Sequence, residues 1–162
     1  LQTFIYMPTS GIVQGMRPLM SYNYGAKLKE RMHQILKVSG LVIAAILGAG
    51  TLLFFIVPNV LLSLFNASSG MLEIGETGLR ILSLSFIVSS FGVLMSGVFE
   101  ALGLGKYSLI VSLLRQLLIT VPLAYILLNI MGIEGIWLSF VIAEAIASIV
   151  AYILYHKKFK TI

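Results

Sequence analysis

A chain of 162 residues that is 59% hydrophobic and only 10% charged, with a mean hydropathy of +1.02, carries too few polar groups to clothe a water-soluble domain. Its net charge of +5 does not form the continuous basic face that a nucleic acid requires: the lysines and arginines fall in short clusters at the ends of apolar runs, the pattern of membrane orientation. The absence of cysteine excludes a disulfide framework, a thiolate metal site and a thiol nucleophile. Stretches without a charged residue cover 38–72, 81–99 and 116–133, and about 20 such residues cross a hydrocarbon core roughly 30 Å thick. The composition predicts an all-α, polytopic integral membrane bundle whose partner is the lipid bilayer.

Five spans are predicted, over 3–25, 38–57, 78–102, 108–129 and 135–156. The first is the most polar. It places Gln14, both donor and acceptor, near mid-span, where it suits an interhelical hydrogen bond or a substrate contact. Arg17 follows, with Pro18 disrupting the local backbone bonding, so an ion pair that packs helices or gates between states is expected. Tyr22 and Tyr24 suit an interfacial aromatic belt; Asn23 is expected to close the helix end, with Gly25 permitting the turn. Lys27, Lys29, Arg31 and Lys37 make the first connection basic.

In the second span Gly40, Ala44 and Gly48 recur at intervals of four, with Ala49 and Gly50 beside them, a spacing that lets helix backbones approach closely. The second connection, 58–77, holds Glu73 and Glu76 but no lysine or arginine. Ser68 or Ser69 is a candidate helix cap, Glu76 and Arg80 are spaced to pair, and Asn66-Ala67-Ser68 matches the glycosylation pattern. The third span carries Gly92, Ser96 and Gly97 and ends at Glu100; Lys106 and the fourth span's Arg115 follow, and Glu100 is expected to pair with Arg115 at the cytoplasmic rim. Glu144 falls near the middle of the fifth span. A carboxylate there costs roughly 2.5 to 3.5 kcal/mol on insertion scales, so it must be paired, protonated or in contact with water. It is either an ion or substrate site or the structural partner of Arg17 or Arg115. His33 and His156 stand alone at span ends, without metal-ligand spacing.

The odd connections and the tail, with Lys157, Lys158 and Lys160, are basic, whereas the even ones, including Glu134 in the fourth, are not. By the positive-inside rule the C-terminus is cytoplasmic and the first span enters from outside. A chain starting Leu1-Gln2-Thr3 inside a helical pattern then implies at least one further span upstream.

Three stretches together carry a resemblance: QGMRPLMSYNYGAK at 14–27, FEALGLGK at 99–106, and Arg115-Gln116 followed by Pro122 and GIEGIW at 132–137. In order and spacing they resemble the C-terminal half of the multidrug and toxic compound extrusion (MATE) transporters, over essentially the whole of this chain and about a third of a family member. The resemblance implies two six-helix lobes related by a pseudo-twofold axis. Residues 1–162 would be helices eight to twelve, a partial C-terminal lobe lacking helix seven and the N-terminal lobe. It implies export of organic cations in exchange for sodium or protons by alternating access, from a multi-pass position in a bacterial inner membrane. Some members carry an acidic cation ligand in helix ten; the corresponding span here has none and offers Gly92 near that depth, which shifts the coupling site to the absent lobe, with Glu144 second.

The substrate and ion pathway candidates are therefore Gln14, Arg17 and Glu144, and the gating or packing candidates Tyr22, Asn23, Glu100 and Arg115. No resident cofactor, metal or nucleic acid is expected. The alternatives are a lipid or polysaccharide-precursor flippase of related architecture and a non-transporting membrane scaffold. No catalytic motif argues for an enzyme.

Overall fold

Proline and glycine punctuate the chain where its helices end. The computed structural model, which describes residues 1–65 and 68–159, contains α1 (Gln2–Gly25), α2 (Lys29–Ile56), α3 (Pro58–Ser63), α4 (Ser69–Ala101), α5 (Gly105–Leu113), α6 (Thr120–Met131) and α7 (Ile133–Phe159). A π-helical turn, Leu114–Leu118, joins α5 to α6. Pro58 disfavours helical backbone at Val57, which ends α2, and then opens α3 at its first turn. Gly103, at φ 72°, lets the Leu104 N–H return to the Phe99 carbonyl at 2.7 Å and close α4. At the end of α1 the same closure, Leu28 N–H to the Asn23 carbonyl at 2.9 Å, puts the left-handed residue at Lys27 and not at Gly25 as expected. Asn23 itself donates back to the Leu19 carbonyl at 2.8 Å. Ser68 flanks α4 without a side-chain cap bond, while Glu76 and Arg80 pair at 2.7 Å as their spacing requires. The glycosylation pattern rests on Asn66 and Ala67, which lie outside the described residues.

Four helical stretches are long and apolar enough to cross a membrane: Lys29–Ile56, Gly70–Ala101, Gly105–Met131 and Ile133–Lys158. The fifth expected span, α1, has the length at 24 residues but is not among them, because Gln2, Thr3, Ser10, Gln14 and Arg17 dilute its apolar character.

The long helix α4 is the centre of the bundle: α7, α2, α1, α5 and α3 all pack on it, and α6 packs on α7. Phe86 of α4 is fully buried, with Phe54 and Tyr6 edge-on at 5.3 and 5.6 Å. Ser83, Ser85 and Ser89 are equally buried, and each hydroxyl donates to a carbonyl three residues back. Thr51 reaches the Ser83 carbonyl at 2.9 Å and Ser148 the Val88 carbonyl at 2.9 Å, tying α2 and α7 to α4 where apolar surroundings give no water to compete. Small residues permit these approaches: a side chain at Gly97 would collide with Val13 and Met16 of α1, and one at Gly50 with Ile5. The expected stripe of small residues on α2 is only partly an interface. Gly40 meets Leu94, but Gly48 meets nothing and Ala44 and Ala49 are exposed, since the buried face of α2 is drawn by Ile43, Leu47 and Gly50.

The outer surface is apolar, with Leu41, Leu52, Phe55, Leu117, Leu118 and Ile149 all exposed. Charge segregates along the bundle. Lys158 lies over the Tyr107 ring at 5.5 Å, bringing the end of α7 to the start of α5, and His33 and Tyr155 share a crevice that brings in the start of α2. At another surface Glu73 and Glu134 line one cleft with Trp137.

Candidate functional site: a polar cleft with two ion pairs

The polar side chains of α1 are not scattered. Thr3, Tyr6, Ser10, Gln14 and Arg17 recur at intervals of three or four and form one seam, opposite the buried Val13, Met16 and Met20. This seam borders two adjoining clefts. One, of about 420 Å³, lies between α1, the π turn and α7 and is lined by Tyr6, Arg115, Gln116, Thr120, Phe140 and Glu144 among others. The second, of about 290 Å³, lies between α1 and α4, lined by Gln14, Arg17, Ser96 and Gly97. Ser10, Val93 and Arg115 border both.

Each cleft holds an ion pair. Arg17 pairs with Glu100, whose other carboxylate oxygen accepts from Ser108 Oγ at 2.7 Å. Since the Ser108 proton is committed there, the Ser96 hydroxyl donates to Ser108 at 2.6 Å. The network joins α1, α4 and α5. Arg115 Nη1 stands 3.6 Å from Glu144 Oε2, longer than the roughly 2.7 to 2.9 Å of a charge-assisted hydrogen bond, and that oxygen is buried without a hydrogen-bond partner. The second pair is nonetheless the more enclosed: Arg115 and Glu144 are 25% and 14% exposed, against 40% and 36% for Arg17 and Glu100.

The expected Arg115 to Glu100 contact is therefore corrected: Glu100 faces α1 and Ser108, and Arg115 turns to α7. The π turn sets that direction. Its extra residue carries the Ile119 N–H to the Leu114 carbonyl at 3.0 Å, five residues back, and the Thr120 hydroxyl takes the Arg115 carbonyl. Pro122, lacking the N–H that would bond the Leu118 carbonyl, removes the competing α-helical pattern just beyond. Arg115 and Gln116 consequently line the cleft while Leu117 and Leu118 face outward.

The other predicted residues divide. Gln14, Arg17 and Glu144 all border the clefts. Tyr22 does not: it is 74% exposed at the end of α1, and Asn23 is buried and bonded within its own helix. Gly92 packs against Ser148, whose Oγ would lie 3.1 Å from an added Cβ, so it belongs to the α4 and α7 contact and Val93 faces the clefts instead. His33 contacts the Lys29 carbonyl, His156 lies against the Tyr152 and Tyr155 rings, and no cluster of three metal-ligating side chains occurs among the described residues. Sequence reasoning missed Tyr6, whose hydroxyl meets Ser89 Oγ at 2.8 Å, and the bordering Thr120 and Ser96. The recurrence of polar residues along α1 was the available signal for Tyr6.

A bundle of apolar helices around a polar cleft with opposed charges is a membrane-embedded protein built to expose polar groups away from lipid. The comparisons narrow this class. The MatE family model matches residues 1–126. The multidrug export protein MepA of Staphylococcus saprophyticus is 26% identical over 144 residues, which are 89% of this chain and 32% of that protein; MepA of Staphylococcus aureus is 25% identical over the same shares. The MATE multidrug transporter DinF-BH, solved in complex with a drug-like ligand, superposes with a TM-score of 0.86 at 31% identity, over 96% of this chain and 35% of its own. A MATE transporter in its inward-facing conformation superposes with a TM-score of 0.91 at 21% identity, over 98% of this chain and 37% of its own. The chain thus spans about a third of the length of these relatives. It belongs to the MatE family, a family of transporters and not of enzymes.

Proposed function

We propose that this chain is the larger part of the C-terminal lobe of a secondary active exporter that moves organic cations outward in exchange for sodium or protons. In this reading α1, α2, α4, the α5 to α6 stretch and α7 correspond to helices eight to twelve, and the basic ends of α2, α5 and α7 lie on the cytoplasmic side of a cell membrane. An N-terminal lobe and helix seven complete the cavity, and the two lobes rock about it so that each side is reached in turn. The observation that carries the reading is Glu144: a carboxylate in an apolar bundle, bordering a cleft of about 420 Å³, with an oxygen that no hydrogen bond satisfies. Such a group suits a mobile cation better than a fixed structural partner. The relatives named for multidrug export, and the one solved with a drug-like ligand bound, support the substrate class.

A flippase for anionic lipid-linked substrates finds less support here. Arg17 and Arg115 are each paired with a carboxylate, which leaves no surplus positive charge in the clefts. The test is efflux of tetraphenylphosphonium from proteoliposomes of the intact protein under imposed sodium or proton gradients. Gradient-dependent movement of the cation supports the exporter, and movement of lipid-linked anions without it would replace that reading.

A further inference from the structure

Arg115 borders both clefts, whereas Glu144 borders only the larger and Arg17 only the smaller. Among the described residues its side chain is thus the charged group with access to both compartments. In the larger it meets Glu144 at 3.6 Å, an attraction without a hydrogen bond. In the smaller, Glu100 is already engaged by Arg17 and Ser108, so the acceptors left for a guanidinium are neutral: the Gln14 amide oxygen and the Ser10 and Ser96 hydroxyls. The π turn holds the Arg115 backbone outside the regular α-helical ladder, between the two positions.

We infer that Arg115 is a tethered cation that holds Glu144 while the larger cleft is empty and swings toward Gln14 in the smaller cleft when an organic cation takes its place. This rests on the cation-exporter reading. Arg115 is then a specificity-determining residue that acts through Glu144. It keeps the carboxylate compensated between transport cycles, and only a cargo whose charge can replace a guanidinium's displaces it. Neutral amphipaths of the same shape are refused, because they would leave both charges unpaired. Self-occupancy also lowers apparent affinity in proportion to the fraction of time the carboxylate is free.

The experiment is tetraphenylphosphonium binding to the intact, detergent-purified protein in alkaline buffer, for wild type, Arg115→Gln, Glu144→Gln and the double variant. Removing the competitor should tighten binding about tenfold, as expected if Glu144 is free roughly a tenth of the time. Glu144→Gln should weaken binding, and adding Arg115→Gln to it should change nothing further. A variant-free measurement accompanies these. Saturating tetraphenylphosphonium should lower carbodiimide labelling of Glu144 and raise phenylglyoxal labelling of Arg115, each read by peptide mass spectrometry in the wild-type protein. If wild type binds the cation but Arg115→Gln leaves affinity unchanged or weaker, or if labelling of Arg115 falls with that of Glu144, the tethered-cation inference is overturned and the exporter reading survives. If wild type neither binds nor exports the cation, both fall.

Discussion

The two ion pairs use the same two residue types and yet are built for different ends. Around Arg17 and Glu100 every nearby polar group is enlisted: Ser108 fills the second carboxylate oxygen and Ser96 fills Ser108, so three helices are held in one register. Around Arg115 and Glu144 the enclosure is greater, but the contact is longer and one carboxylate oxygen is left unfilled beside open space. Burial raises the cost of an unsatisfied charge, so a pair optimised only for stability would show the reverse arrangement, with the more buried pair the better bonded. The more enclosed and less satisfied pair is where function resides.

The most disruptive way to break the contrast is to separate the helices that carry the first pair. Gly97→Leu would drive a side chain into Val13 and Met16, and overpacking of this kind costs about 3 kcal/mol. The expected outcome is loss of the monodisperse peak in size-exclusion chromatography. Pro122→Ala is milder. It restores an N–H that can draw the π turn toward regular helix and rotate Arg115 away from Glu144; cation efflux should fall several-fold while thermal unfolding shifts little. Glu100→Gln removes a half-exposed pair and should cost about 1 kcal/mol after solvent screening, seen as a drop of a few degrees in unfolding temperature with efflux per folded molecule unchanged. Smallest is Glu76→Gln, which breaks an exposed pair one turn apart and should move stability by only a few tenths of a kcal/mol.

Much of this architecture was legible in the sequence because apolar runs and Gly or Pro punctuation are local signals. The spans at 38–57, 78–102, 108–129 and 135–156 correspond to four helical stretches that are longer, since α2 and α4 begin well before the apolar runs, at Lys29 and Ser69. The need of Glu144 for a partner followed from its depth alone. Which arginine supplies it did not: spacing along the chain brings Glu100 near Arg115, and only the packing of α1 on α4 gives Glu100 to Arg17. The π turn was equally hidden. Thr120 and Pro122 are visible, but a one-residue insertion in a helix leaves no periodic trace over so short a run. The small residues of α2 misled in part, because spacing identifies a stripe without saying which neighbour, or lipid, it faces.

The most direct test sets the two carboxylates against each other in one assay. Glu144→Gln and Glu100→Gln versions of the intact protein, reconstituted at equal folded amounts, would be compared for gradient-driven tetraphenylphosphonium efflux. Efflux reduced at least tenfold by Glu144→Gln and preserved in Glu100→Gln is the predicted result. Efflux preserved in Glu144→Gln, or lost equally in both, would contradict the assignment of the Arg115 and Glu144 cleft as the working site.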